Sequence, residues 1–125
     1  MRARALTGLL LFAATVCAAQ NYPARPLRLV VPYAAGGSTD VLARMIGQKL
    51  TENLGQAVVV DNRTGAGTLI ATEIVAHAAP DGYTLLMATP PLVVADALYK
   101  SVPFDVARDF AAITNVAATS NVLVV

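Results

Sequence analysis

Two glycine-bearing segments contain the residue types that could hold a small anion. The first is Pro32-Tyr33-Ala34-Ala35-Gly36-Gly37-Ser38-Thr39-Asp40, and the second is Asn62-Arg63-Thr64-Gly65-Ala66-Gly67-Thr68. Each follows an apolar run and precedes a helical pattern, so each sets hydroxyl residues and unpaired backbone N–H groups at a helix start. Such a turn is a pre-formed anion site, and its glycines let a ligand come close to the backbone. The candidate ligand-binding residues are therefore Tyr33, Gly36, Gly37, Ser38, Thr39 and Asp40, with Gly65, Ala66, Gly67 and Thr68. Thr89, at the end of a third apolar run, adds a hydroxyl to the same rim. Taken singly, a Gly-Gly pair is also an ordinary tight turn, and Ser38 or Thr39 an ordinary helix cap. Two such turns at adjacent strand ends favour binding.

Other charged residues have simpler readings. Asp40 in a first helical turn complements the helix dipole, and beside a bound carboxylate it would repel. It is expected to brace the loop rather than touch ligand. Arg63 beside Asp61 reads as a surface charge, and His77 suits the C-terminal end of a helix. Catalytic patterns are missing from the sequence: no Gly-x-Ser-x-Gly elbow, no glycine-lysine phosphate loop and no histidine near a nucleophile. Gly65-Ala66-Gly67 begins like a dinucleotide fingerprint, but Ile70 stands where the third glycine belongs. With one histidine and one cysteine, no metal site is legible, and no cofactor is expected.

The elements that must position these loops alternate between strand and helix. Leu27 to Val31 is a short β-branched run ended by Pro32. A helix follows from Ser38 or Thr39 to about Leu54, with Leu42, Met45, Ile46, Leu50 and Leu54 as its apolar stripe and Gly55 as its stop. Ala57 to Val60 is a second strand, Asp61 to Gly67 a loop, and Thr68 to Ala78 a second helix. Thr84 to Ala88 is a third strand. This βαβαβ order predicts a parallel sheet with helices on its faces, and ligands in such sheets bind at the strands' carboxyl ends. Beyond residue 90, Val93 to Tyr99 reads as a short helix and Lys100 to Asp109 as a loop. Asn121 to Val125 is an apolar β-run with no closing turn, as if the sequence were cut short.

The first nineteen residues read as a secretory signal. Arg2 and Arg4 form the positive region, Leu6 to Val16 an apolar stretch too short to span a bilayer, and the residues around Ala18 the cleavage site. A lipoprotein anchor at Cys17 is rejected because Val16 is bulky and branched. Cleavage removes two of the 9 Lys and Arg residues and none of the 8 acids, so the formal charge moves from +1 to about −1. It also removes the only cysteine. A near-neutral chain without a basic cluster is not expected to bind nucleic acid.

Four ordered blocks resemble one family. They are Tyr22 to Arg44, Leu54 to Gly67, Ala79 to Leu86, and Ala97 to Asp105 with Asp109-Phe110. They are similar to the mature receptors of tripartite tricarboxylate transporters, also called Bug or TctC proteins. The resemblance implies a type II periplasmic-binding-protein-like α/β fold. It implies a non-enzymatic receptor that closes on a small carboxylate (a di- or tricarboxylate or an acidic amino acid) and passes it to membrane permease subunits. It also implies that Tyr33 to Asp40 and Gly65 to Thr68 face the cleft. Residues 20–125 would then be the front of the first lobe, ending near the crossover to a second. Family members commonly carry a further glycine and a small or polar residue where Thr68 and Leu69 stand, so this loop is bulkier. The alternative reading is an exported nucleotide-binding or enzymatic α/β domain.

Overall fold

The computed structural model describes residues 22–118. The expected signal segment and the apolar run 121–125 lie outside those residues. Three strands form one parallel sheet in the order β2-β1-β3: β1 is Leu27–Val31, β2 Val58–Asn62 and β3 Thr84–Leu86. In register, Leu29 lies beside Val60 on one side and Leu85 on the other. The α/β class and the parallel sheet are as expected.

Helix α1 (Ser38–Leu54) joins β1 to β2, and α2 (Leu69–Ala76) joins β2 to β3. The two crossovers run in opposite directions across β1. Since such connections are right-handed, α1 and α2 cover opposite faces of the sheet. On the α1 face, Leu29, Val31, Ala43 and Met87 form the core, with Leu42, Ile46, Val58, Val60 and Leu85 packed against them. Val30 points the other way and is also wholly buried. β2 is covered less well on that second face, where Val59 is 54% exposed.

Several boundaries differ from expectation, each for a local reason. The cap of α1 is Gly37, with no side-chain hydrogen bond from Ser38 or Thr39, which both lie inside the first turn. The predicted stripe holds at Leu42 and Ile46, which pack against the core, but Met45 is 62% exposed, and the fully buried positions are Asp40, Ala43 and Gly47. Small residues face the sheet because the helix lies close to it. A Cβ added at Gly47 would sit 3.5 Å from the Val58 side chain. Gly55 ends α1 at φ 71, as its sequence position predicts.

β2 runs two residues further than predicted, so Asp61 and Asn62 belong to the strand. A 3₁₀ turn at Ala66–Thr68 precedes α2, which ends at Ala76 with His77 as its cap. β3 stops at Leu86, although the Met87 N–H still donates to Val30 O at 2.9 Å. α3 (Pro91–Leu98) begins earlier than predicted because Pro91 occupies a first-turn position, where its missing N–H is no loss. The predicted loop at 100–109 contains a short helix, α4 (Val106–Asp109), capped by Asp105, which accepts from the Ala107 and Arg108 amides.

Candidate ligand-binding site

The loop after β1 and the loop after β2 both leave the carboxyl edge of the sheet, and between them lies an open hollow of about 280 Å³. It is lined by Pro32, Tyr33 and Ala34 on one side, Thr64, Gly65, Gly67 and Thr68 on the other, and Pro91. Of the predicted site residues, Tyr33, Gly65, Gly67 and Thr68 line it. Ala66 sits within the same turn, while Gly36, Gly37, Ser38 and Thr39 stand back from the hollow. Thr89 is tied to it indirectly, through a 3.3 Å hydrogen bond between its hydroxyl and that of Tyr33. A larger hollow of about 380 Å³ lies on the thinly covered side of β2, among Pro26, Arg28, Val59, Asp61 and Arg63. It has no glycine turn or helix start, so the hollow at the strand ends is the better candidate.

The first wall is held from behind. Asp40 is 2% exposed, and its carboxylate accepts hydrogen bonds from the Gly36 amide (2.8 Å), Arg44 Nε (2.9 Å) and Asn62 Nδ2 (2.9 Å). The bonds from Arg44, then Gly36 and Asn62, hold its pKa down to about 2 against a weaker opposing effect of burial. Asp40 is thus a loop brace, and it already engages the Gly36 N–H. The chain's own carboxylate thus takes one donor of the first turn, the Gly36 amide.

The second wall offers free donors. Gly65, Ala66, Gly67 and Thr68 have φ values of 126, 45, 60 and 84, four successive residues in a region that favours glycine. This curl turns the start of the 3₁₀ segment toward the hollow. The Thr68 amide donates to Gly65 O, but those of Ala66 and Gly67 find no acceptor among the described residues. Such amides at a turn's start are what an incoming carboxylate needs. Tyr99 packs beneath the turn, so close that a Cβ on Gly67 would collide with its hydroxyl.

The charges nearby are paired. Arg63 Nε lies 3.0 Å from Asp61, which also accepts from Arg28 at 2.8 Å. Partial burial works to raise the Asp61 pKa, but the hydrogen bonds from Arg28 and Arg63 outweigh it and leave the group below its usual value. Arg63 thus behaves as the surface charge its sequence position suggests. His77 Nδ1 lies 2.9 Å from Glu73 O at the end of α2, away from the site. No group of three potential metal ligands occurs among the described residues.

Pro32, Ala34 and Thr64 lie in the two candidate segments but were not singled out, and sequence reasoning missed Pro91 as a lining residue and Arg44, Asn62 and Tyr99 as supports. Thr64 and Asn62 were within reach, since they sit at the carboxyl end of a predicted strand. Tyr99 was not, because it lies 32 residues from Gly67 in sequence.

The family described as tripartite tricarboxylate transporter family receptor, TctC, matches residues 42–125. Protein BugT of Bordetella pertussis is 43% identical over 128 residues, taking in 98% of this chain, the first loop included, and 39% of BugT. The structure of R. palustris Rpa4515 with adipate is similar at a TM-score of 0.65 and 42% identity, over 69% of this chain and 29% of that one. The periplasmic binding protein BugD follows at a TM-score of 0.50 and 52% identity, over 52% of this chain and 22% of its own. This chain spans well under half the length of each of these relatives, and it shares their periplasmic-binding-protein-like α/β fold. The match over most of its length shows that the chain belongs to the tripartite tricarboxylate transporter receptor family.

Proposed function

We propose that this chain supplies the front of the first lobe of a periplasmic solute receptor. The receptor binds a small carboxylate at the hollow between the two loops and hands it to the membrane permease of a tripartite transporter. Residues 1–19 direct export and are removed, and residues 20–125 form the lobe segment. The observation that carries this reading is the curled turn at residues 65–68, whose Ala66 and Gly67 amides find no acceptor among the described residues at the carboxyl edge of a parallel sheet. Membership in a receptor family and the adipate held by a relative sharing 42% identity support it. Binding, not catalysis, is the role of the site: it offers backbone donors and hydroxyls but no nucleophile with a base beside it.

In this scheme the carboxylate accepts from the Ala66 and Gly67 amides. Tyr33, Thr64 and Thr68 shape the hollow, and Thr89 orients the Tyr33 hydroxyl. Small dicarboxylates, tricarboxylates and acidic amino acids all present the required group.

The test uses a hybrid in which residues 22–118 are continued by the remaining sequence of the adipate-bound relative. Adipate or another dicarboxylate is expected to raise its melting temperature, and Gly67→Val to abolish the rise. Stabilisation by nucleotides alone would overturn the proposal in favour of an exported nucleotide-binding domain.

A further inference from the structure

Asn62 does not line the hollow, yet every polar atom of its side chain is engaged. Its Nδ2 donates to Tyr33 O and to Asp40 Oδ1, both at 2.9 Å. Its Oδ1 accepts from Arg44 Nη2 at 3.3 Å. Arg44 and the Gly36 amide in turn donate to Asp40 Oδ2. Asn62, Asp40 and Arg44 thus close a ring of hydrogen bonds, with Tyr33 and Gly36 as the two points where it grips the first loop.

The location of Asn62 gives this ring its consequence. As the last residue of β2, it is fixed in the sheet opposite Val31, and the next residue, Arg63, donates from its amide to Val31 O at 2.8 Å. Thr64 and the curled turn begin immediately beyond. One side chain therefore connects the base of the second wall to the backbone of the first.

We propose that Asn62 is a positioning residue for solute binding, holding the Tyr33–Gly36 wall at a fixed separation from the Thr64–Thr68 wall. This rests on the carboxylate-receptor reading of the hollow. Only an amide side chain can do it, because the position needs two donors toward Asp40 and Tyr33 O and one acceptor toward Arg44. Aspartate there would face the Asp40 carboxylate and the Tyr33 carbonyl with oxygen, and an isosteric apolar residue would leave the buried Asp40 carboxylate and the Tyr33 carbonyl each one hydrogen bond short.

The full 125-residue chain, labelled with ¹⁵N, allows two separate measurements. Amide hydrogen exchange reports the brace without ligand, and amide-shift titration with adipate and succinate reports affinity. In Asn62→Asp and Asn62→Leu, the Gly36 amide should exchange faster by about tenfold or more while the Val30 and Met87 amides, held by the sheet, keep their protection. Affinity for the dicarboxylates should fall by a similar factor. The reciprocal pair Asp40→Asn with Asn62→Asp restores a donor facing an acceptor and should recover part of both losses, which a general loosening of the fold would not. If the single variants do not fold, Asn62→Ser, which keeps one donor, should show about a threefold change. Wild-type Gly36 exchange and affinity in Asn62→Leu, or in Asn62→Ser where it is the variant that folds, would overturn the proposal. If the unaltered chain shifts with neither dicarboxylate, affinity is read instead in the hybrid with the adipate-bound relative, where a failure of adipate to stabilise it would sink the receptor reading. The brace is then decided by Gly36 exchange alone, faster exchange supporting it and unchanged exchange overturning it.

Discussion

Residues 33–37 and residues 65–68 border the same hollow, but their shapes have different physical origins. In the first loop only Gly36 has a positive φ, and its conformation is set by side chains from α1 and β2 hydrogen-bonding to its backbone. In the second, four successive positive φ values define the shape. Side-chain support there is slight: a long 3.5 Å contact from the Tyr99 hydroxyl to Ala66 O, and Thr72 Oγ1 donating to Thr68 O at 3.0 Å. One wall is braced by side-chain hydrogen bonds, one of which takes up the Gly36 amide. The other is held by steric fit and backbone strain, and it presents free amides. Strain of this kind costs on the order of 1–3 kcal/mol per residue and collects where a backbone must face a ligand. Under the proposed function, the comparison separates a wall that positions from a wall that binds.

The largest effect should come from removing the brace. Asp40→Ala leaves the Gly36 amide, Arg44 and Asn62 without their common acceptor in a largely buried site. A fall in Tm of roughly ten degrees is expected in a thermal melt. Acidity should reproduce part of the loss. Asp40 titrates at about 2 in the folded chain against an ordinary 3.8, so the folded state releases its proton more readily than the unfolded one. Its stabilisation is complete above about pH 5 and fades as pH falls toward 2. Asp40→Asn should therefore flatten the acid limb of a stability–pH curve measured by denaturant titration. An unchanged acid limb would show that the carboxylate does not hold the first loop.

That contrast also explains what the sequence revealed. The parallel sheet and its order of elements were legible because β-branched runs and Gly or Pro stops alternate over the first 90 residues. Asp40 as a brace was legible because a carboxylate in a first helical turn has few other roles beside an anion site. The α1 stripe was misjudged at Met45 and Leu54, which spacing alone favours, whereas close packing on β2 requires Ala43 and Gly47. The curl at 65–68 was hidden because Ala66 and Thr68 carry no sequence sign of a positive φ. Tyr99, which fixes the curl from below, reaches it only through tertiary packing.

The next effect in size tests the steric half of the comparison. At Gly67 two costs coincide, a φ of 60 and the collision of any Cβ with the Tyr99 hydroxyl. Gly67→Ala should lose about 2–3 kcal/mol in a urea titration, roughly 1 from the backbone and the rest from displacing Tyr99. Combining it with Tyr99→Ala should remove the second part, so the two substitutions together should destabilise less than their sum. Strict additivity would mean that Tyr99 does not support the turn.

The smallest effect concerns Thr68, a β-branched residue at φ 84. Two opposing terms decide its replacement by glycine. Relief of the left-handed conformation favours Thr68→Gly by about 1–2 kcal/mol. Against this, glycine gains unfolded-state entropy worth roughly 0.5–1 kcal/mol, and a buried side chain loses its contacts, worth about 1 kcal/mol. The terms nearly cancel, so stability measured by urea titration should change by no more than about 0.5 kcal/mol. The same replacement at buried Thr72, inside α2, should cost well over 1 kcal/mol, since there no strain is relieved and a helical position is weakened. Near-neutrality at 68 beside a clear loss at 72 would show that backbone strain, not side-chain packing, shapes the second wall. Equal losses at both positions would show that Thr68 holds the turn through its own side-chain contacts.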